Sequence, residues 1–359
     1  MTDDALMRRA LFHAARAQGC TTPNPMVGAV VVDTEGVVVG QGCHERAGLP
    51  HAEVEALDEA GERARGGTLY VTLEPCCTYG RTGPCTTRVI EAGITRVVAA
   101  VQDPNPAVAG AGFERLRAQG ISVEVGLRAA EATRLNAGFF SVHERGRPLV
   151  IAKAGTSLDA RIAARAGVRT QINSPLAMRE VQRLRAATDA IAVGVDTVLA
   201  DDPLLTCRDI ARQRPYTRVV FDRRLRTPAD GRLLSTAGEG PVIMVAGPGV
   251  REALPARVEA LERAGAEVIA AGSLAGAFAA LAAREITTIL VEGGGRLHAA
   301  LWCEGLVDRL HLVVAPVVLG PAGVPLFGGH DIPWSSLRVV RVEPRGDDIW
   351  IEADVHRAH

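Results

Sequence analysis

Apolar residues near the start of the chain, Leu6, Met7, Ala10, Leu11 and Ala14, recur at three- and four-residue steps. That is the period of a helix buried along one face, and Asp3 and Asp4 stand where they could cap it. Two extended runs follow, Val27 to Val32 and Val37 to Gln41, joined by the turn Asp33-Thr34-Glu35-Gly36. Helical and extended patterns then alternate. A helix from Ala52 to Ala64 precedes a strand from Thr68 to Leu73, and beyond a Gly- and Cys-rich loop come a helix at Thr86 to Ala92 and a strand at Arg96 to Val101. A helix at Phe113 to Gln119 and a strand at Ser122 to Val125 complete the series. Such alternation predicts an α/β layer sandwich.

The polar, proline-terminated segment Glu144 to Pro148 interrupts the pattern, and an apolar strand, Leu149 to Ala154, starts afresh behind it. The expected domains are therefore residues 1–145 and 146–359. The second half has its own alternation: helix Pro175 to Ala187, strands Ala190 to Val195, Arg218 to Phe221 and Val242 to Ala246, helix Arg251 to Ala264, and strand Thr288 to Glu292. A chain of 359 residues is also longer than one hydrophobic core usually serves.

Composition narrows the function class. Hydrophobic residues at 47% and charged residues at 23% are ordinary for a soluble protein, and no apolar run reaches the ~18 residues of a membrane span. A net charge of −1 leaves no broad basic footprint for nucleic acid, so the expected partner is a small molecule. The expected setting is a cytoplasmic homo-oligomer with neither nucleic-acid nor membrane partner. Seven cysteines, an odd number, argue against a disulfide framework. Three of them, Cys76, Cys77 and Cys85, crowd into ten residues and point to metal chemistry.

His51-Ala52-Glu53 is followed by Glu74-Pro75-Cys76 and, eight residues on, by Pro84-Cys85. One imidazole and two thiolates supply the three protein ligands of a catalytic zinc with an open fourth position. Glu53 is left over to take a proton from the activated water and pass it to a departing amine. This is the known pattern of zinc deaminases. Residues two apart on a helix diverge by about 200°, so His51 and Glu53 must sit at a helix start, as Pro50 suggests. Cys76, behind Pro75, is expected at a helix N-terminus. Cys77, adjacent to Cys76, is poorly placed to chelate the same ion.

The eight-residue gap between the cysteines resembles that of the riboflavin-biosynthesis deaminases. The likeness extends through Thr22-Pro23-Asn24-Pro25, Gly42 and His44, Gly48 with His51-Ala52-Glu53, Tyr70 to Cys76, Gly80-Arg81-Thr82 and Asp103-Pro104-Asn105-Pro106. It implies a cytidine-deaminase-like α/β/α sandwich that removes the 2-amino group of a diaminopyrimidinone ribosylamine phosphate. Asn24 and His44 would contact the pyrimidine, and Arg81 the phosphate. Thr78 stands where the family usually has His.

In the second half Lys153, Thr156-Ser157-Leu158-Asp159, Arg161, Leu184-Arg185, Asp196-Thr197-Val198, Asp201 to Leu204, Arg208 and Glu292-Gly293-Gly294-Gly295 resemble the reductase domain of the bifunctional members of that family. The resemblance implies a dihydrofolate-reductase-like α/β domain that uses NADPH to turn the ribosyl group into ribityl. Gly155, Thr197, Asp201, Gly294 and Gly295 would line the cofactor, the glycines presenting backbone donors to its pyrophosphate. Lys153 and Glu292 would flank the carbon that receives hydride, and Arg185, Leu205 and Arg208 would hold the substrate. Ala160, Arg169 and Gln171 depart from the family's Gly, Ser and Trp. Two other readings use the same residues: a deaminase with a drifted or inactive nucleotide-binding half, and a non-enzymatic zinc-stabilised module.

Overall fold

The computed structural model describes residues 1–79, 83–207, 210 and 214–356. The chain divides into two compact units, Met1–Gly146 and Arg147–His359.

The first unit runs α1 (Asp3–Ala15), β1 (Gly28–Val32), β2 (Val38–Cys43), α2 (Ala52–Ala60), β3 (Thr68–Val71), α3 (Cys85–Glu91), β4 (Arg96–Ala99), α4 (Ala111–Ala118), β5 (Ser122–Val125), α5 (Ala129–Leu135) and α6 (Ala137–Arg145). Its sheet has the order β2-β1-β3-β4-β5. The pairs of β1 are antiparallel, and those of β3, β4 and β5 are parallel. Alternation along β1 assigns the two faces: Ala29 and Val31 pack with Ala56 and Leu57 of α2, whereas Val30 and Val32 pack with Met7 and Ala10 of α1. Both helices ride close to the strands. A Cβ on Gly28 would lie 2.0 Å from the Ala10 carbonyl oxygen, and one on Gly40 would lie 2.0 Å from that of Ala56.

The second unit continues β6 (Leu149–Thr156), β7 (Arg161–Ala163), α7 (Pro175–Ala186), β8 (Ala190–Gly194), α8 (Val195–Asp201), β9 (Thr217–Phe221), α9 (Arg232–Ser235), β10 (Val242–Ala246), α10 (Val250–Ala253), α11 (Pro255–Arg263), β11 (Ala266–Ala270), α12 (Leu274–Ala282), β12 (Thr288–Glu292), α13 (Gly295–Cys303), β13 (Arg309–Val314), β14 (Val324–Pro325), β15 (Ser336–Arg345) and β16 (Asp348–His356). Seven parallel strands in the order β11-β10-β9-β8-β12-β6-β13 are extended by β16 and β15, both antiparallel. Val150, Ala192, Ile289 and Val291 face α12 and α13, while Ile191, Val193 and Met244 face α11.

Several details differ from the sequence reading. Thr2, not Asp3 or Asp4, caps α1, its hydroxyl accepting from the Ala5 N–H; the two aspartates occupy the first turn, where the helix dipole favours them. The helix expected to reach Ala64 ends at Ala60, and Gly61 to Ala64 tighten into a 3-10 turn. The single helix expected from Arg251 to Ala264 is broken by Pro255, which lacks the N–H to continue α10 and starts α11 instead. Among the described residues no helix is long and apolar enough to cross a membrane.

Candidate active sites

His51 is the N-cap of α2, with φ −77° and ψ 159°, so its ring leaves the chain ahead of the first turn while Glu53 rides on that turn. Cys76 lies in the loop after β3 rather than at the start of its own helix. Cys85 is the residue that opens α3, and its backbone N–H donates to Cys76 Sγ at 3.3 Å, so Cys76 meets a helix N-terminus across space. His51 Nδ1 and the two sulfurs lie within 4.8 Å of one another, and Nδ1 is 3.6 Å from Cys76 Sγ and 3.1 Å from Cys85 Sγ. Zinc bonds of ~2.3 Å to sulfur and ~2.0 Å to nitrogen in a tetrahedron separate such donors by roughly 3.5 Å. The donor set fits zinc, and Cys77 has no part in it.

A hydrogen bond between the two thiols, with His51 alongside, holds Cys76 well below its ordinary pKa and pushes Cys85 up. Glu53 is 3% exposed. Burial pushes its carboxyl up to about 7, with His51 pulling it back and Cys76 adding to the rise. A dication on the neighbouring ligands acts in the same direction as His51 and favours the carboxylate.

His51, Glu53 and Cys76 open onto a cavity of about 350 Å³ lined also by Asn24, His44, Thr78, Asp103, Asn105 and Phe139. Arg81, expected at the phosphate, lies outside the described residues. Phe139 was missed by the sequence reading, which assigned no helix between Val125 and Leu149. Glu74 was noted only as part of a motif. Its buried carboxylate accepts from the backbone N–H groups of Asp103, Gly110, Gly112 and Phe113 at 3.2, 2.9, 2.9 and 3.4 Å, tying the Cys76 loop to the segment that carries Asp103.

In the second unit Lys153 and Glu292 are register partners on parallel β6 and β12, with Nζ 4.0 Å from Oε2. Arg185, on α7, donates from Nε to Glu292 Oε1 at 2.6 Å, from Nη2 to Oε2 at 3.1 Å and from Nη1 to the Thr206 carbonyl at 3.0 Å. Lys153 and Glu292 are buried, and Arg185 is partly buried. Burial pushes Glu292 up, but Arg185 and Lys153 outweigh it and hold the carboxyl below its usual range. Burial lowers Lys153, and Glu292 partly restores it.

The triad borders a cavity of about 990 Å³ whose walls include Gly155, Thr197, Asp201, Leu205, Gly294 and Gly295. Gly293 and Gly294 have φ of +84° and +64°, and a Cβ on them would meet Thr197 Oγ1 at 2.9 and 3.3 Å. This bare backbone ahead of α13 suits a pyrophosphate. Gly295 instead packs on Gly328, whose backbone nitrogen a Cβ would approach to 2.4 Å. Gly155 makes room for Asn173, whose side chain donates to the Val313 carbonyl. Leu205 has φ +52°, and its carbonyl accepts from the Tyr216 hydroxyl at 2.5 Å. Arg208 lies outside the described residues. Two of the departures from the family line this cavity: burial raises the pKa of Asp201 and Arg169 partly offsets it, and Gln171 donates to the Asn173 carbonyl; Ala160, in the turn after β6, has φ +55°.

His298 also lines this cavity and went unnoticed in the sequence. Burial pushes its pKa down to about 4, so it is neutral beside the triad. Its place one turn into the helix behind the glycines was the available signal.

Comparisons with known proteins bear on both units. Residues 1–101 match the family described as the cytidine and deoxycytidylate deaminase zinc-binding region, and residues 148–351 match the RibD C-terminal domain. The chain is 40% identical over 353 residues to the riboflavin biosynthesis protein RibD of Aquifex aeolicus, covering 97% of each. Among solved structures, Acinetobacter baumannii RibD superposes with a TM-score of 0.90 at 35% identity, covering 99% of both chains. A diaminohydroxyphosphoribosylaminopyrimidine deaminase/5-amino-6-(5-phosphoribosylamino)uracil reductase of Thermotoga maritima superposes at 0.86 with 33% identity and the same coverage.

Proposed function

The chain belongs to the RibD family of bifunctional riboflavin-biosynthesis deaminase-reductases, and on that premise we propose which of its residues carry each reaction. The first unit deaminates diaminohydroxyphosphoribosylaminopyrimidine and the second reduces 5-amino-6-(5-phosphoribosylamino)uracil, the two substrates named for the Thermotoga relative. The observation that carries this reading is the pairing of a three-donor cluster beside buried Glu53 with a Lys153–Glu292–Arg185 cluster beside a glycine cradle.

In the deaminase site His51, Cys76 and Cys85 hold zinc, which when bound supplies the Lewis acid that makes water a nucleophile near neutral pH. Glu53 removes the proton as water attacks the amino-bearing carbon and returns it to the leaving nitrogen. Its burial excludes competing solvent, and the backbone bonds of Glu74 keep the cavity walls in register. Asn24 orients the pyrimidine.

In the reductase site Thr197, Asp201 and the glycines hold NADPH, which supplies the hydride. Lys153 protonates the ring oxygen as the C1'–O4' bond of the ribosylamine opens, and Glu292 holds the ammonium in place. Arg185 fixes both carboxylate oxygens of Glu292, so the pair meets the substrate in one geometry.

The test is Glu53→Gln, which keeps the side chain's shape and all three metal donors. Ammonia release should fall by about 100-fold or more while zinc content stays at one per chain. A loss of less than about tenfold would remove Glu53 from the proton transfer.

A further inference from the structure

Asn24 and His44 both line the deaminase cavity, but their hydrogen bonds give them different roles. His44 is 2% exposed, with Nδ1 3.0 Å from the carbonyl oxygen of Pro50 and Nε2 3.0 Å from Asn24 Nδ2. A backbone carbonyl only accepts, so Nδ1 carries the proton. The neutral ring that donates at Nδ1 presents a lone pair at Nε2, and the NH₂ is the one end of the Asn24 amide that can donate to it. Both nitrogens of His44 are therefore used within the protein. The amide is held with its nitrogen on His44, while Oδ1 has no hydrogen-bond partner among the described residues. The relay starts at Pro50, the residue before the metal ligand His51, so the backbone that positions His51 also fixes this amide.

We propose that His44 is a positioning residue that sets the polarity of Asn24, so that the cavity offers an acceptor and selects pyrimidines carrying an N–H beside the amino group to be removed. This rests on the deaminase reading above. His44 acts through Asn24 and does not itself contact the reacting atoms.

Two free bases probe the polarity. With its exocyclic amino group toward the metal, isocytosine presents N3–H beside that group, whereas cytosine presents a bare N3. Calorimetric titration of the zinc-loaded full chain reads their affinities without turnover, so failure of this proposal is separable from absence of ammonia release, which tests the functional reading. Wild type should bind isocytosine about tenfold or more tightly than cytosine. His44→Phe frees the amide to rotate, and the ratio should fall to within about threefold of unity. His44→Gln offers one donor to Pro50 and one acceptor to Asn24, and should restore the preference. His44→Leu serves in place of His44→Phe if the larger ring displaces zinc. A wild-type preference for cytosine, an unchanged ratio in the apolar variant, or no recovery in His44→Gln each overturns the proposal.

Discussion

Lys153 is buried, which lowers its pKa, and Glu292 partly restores it because the strand register puts the two side chains opposite each other. Replacing it by Met keeps the volume and leaves Glu292 paired with Arg185, so folding should survive. NADPH oxidation should fall about 100-fold or more, with the KM for NADPH nearly unchanged. Stopped-flow absorbance on the deaminated substrate checks this, and full activity would exclude Lys153 as the proton donor. A second residue gives a pH signature. The Ser157 hydroxyl, with the N–H groups of Leu319 and Gly320, depresses Asp159 to about 2. Between its ordinary value of 3.8 and about 2 the native state binds fewer protons than the unfolded chain, so stability falls as pH falls through that window. Asp159→Asn should be less stable than wild type at neutral pH, and the gap should narrow between pH 4 and pH 2. A constant gap would mean that the carboxylate charge is not what holds this loop.

Among the elements, the turn between β6 and β7 holds the one departure whose cost the backbone makes visible. Ala160 sits at φ +55°, a conformation that costs an L-residue about 1–2 kcal/mol and that Gly adopts freely. Ala160→Gly should stabilise the second unit by roughly 0.5–1 kcal/mol after the greater freedom of Gly in the unfolded chain is deducted. Trp302, Trp334 and Trp350 all belong to that unit, so tryptophan fluorescence in urea reads its transition alone. A destabilised variant would contradict the strain. The alternation of strands and helices was legible because buried parallel strands such as Ala190–Gly194 and Val242–Ala246 are nearly continuous apolar runs. The antiparallel strands β15 and β16 were not, since β15 is largely exposed and carries charges among its apolar residues. Likewise the zinc donors could be read from Pro-Cys spacing. The role of Glu74 could not, because its four backbone partners lie 29 to 39 residues away.

At the scale of the whole molecule, the metal donors and Glu53 fall entirely within one unit, and Lys153, Glu292 and the glycine cradle within the other. Groups that share no partners perturb each other little, so each reaction should be removable without the other. The most direct measurement follows ammonia release and NADPH oxidation separately in one preparation, before and after zinc is stripped by a chelator, with each reaction given its own substrate. Ammonia release should vanish and return on zinc addition, while reduction of the supplied 5-amino-6-(5-phosphoribosylamino)uracil continues at close to its original rate. Ammonia release that survives complete loss of zinc, or NADPH oxidation that disappears along with the metal, would contradict the assignment of two chemistries to two sites.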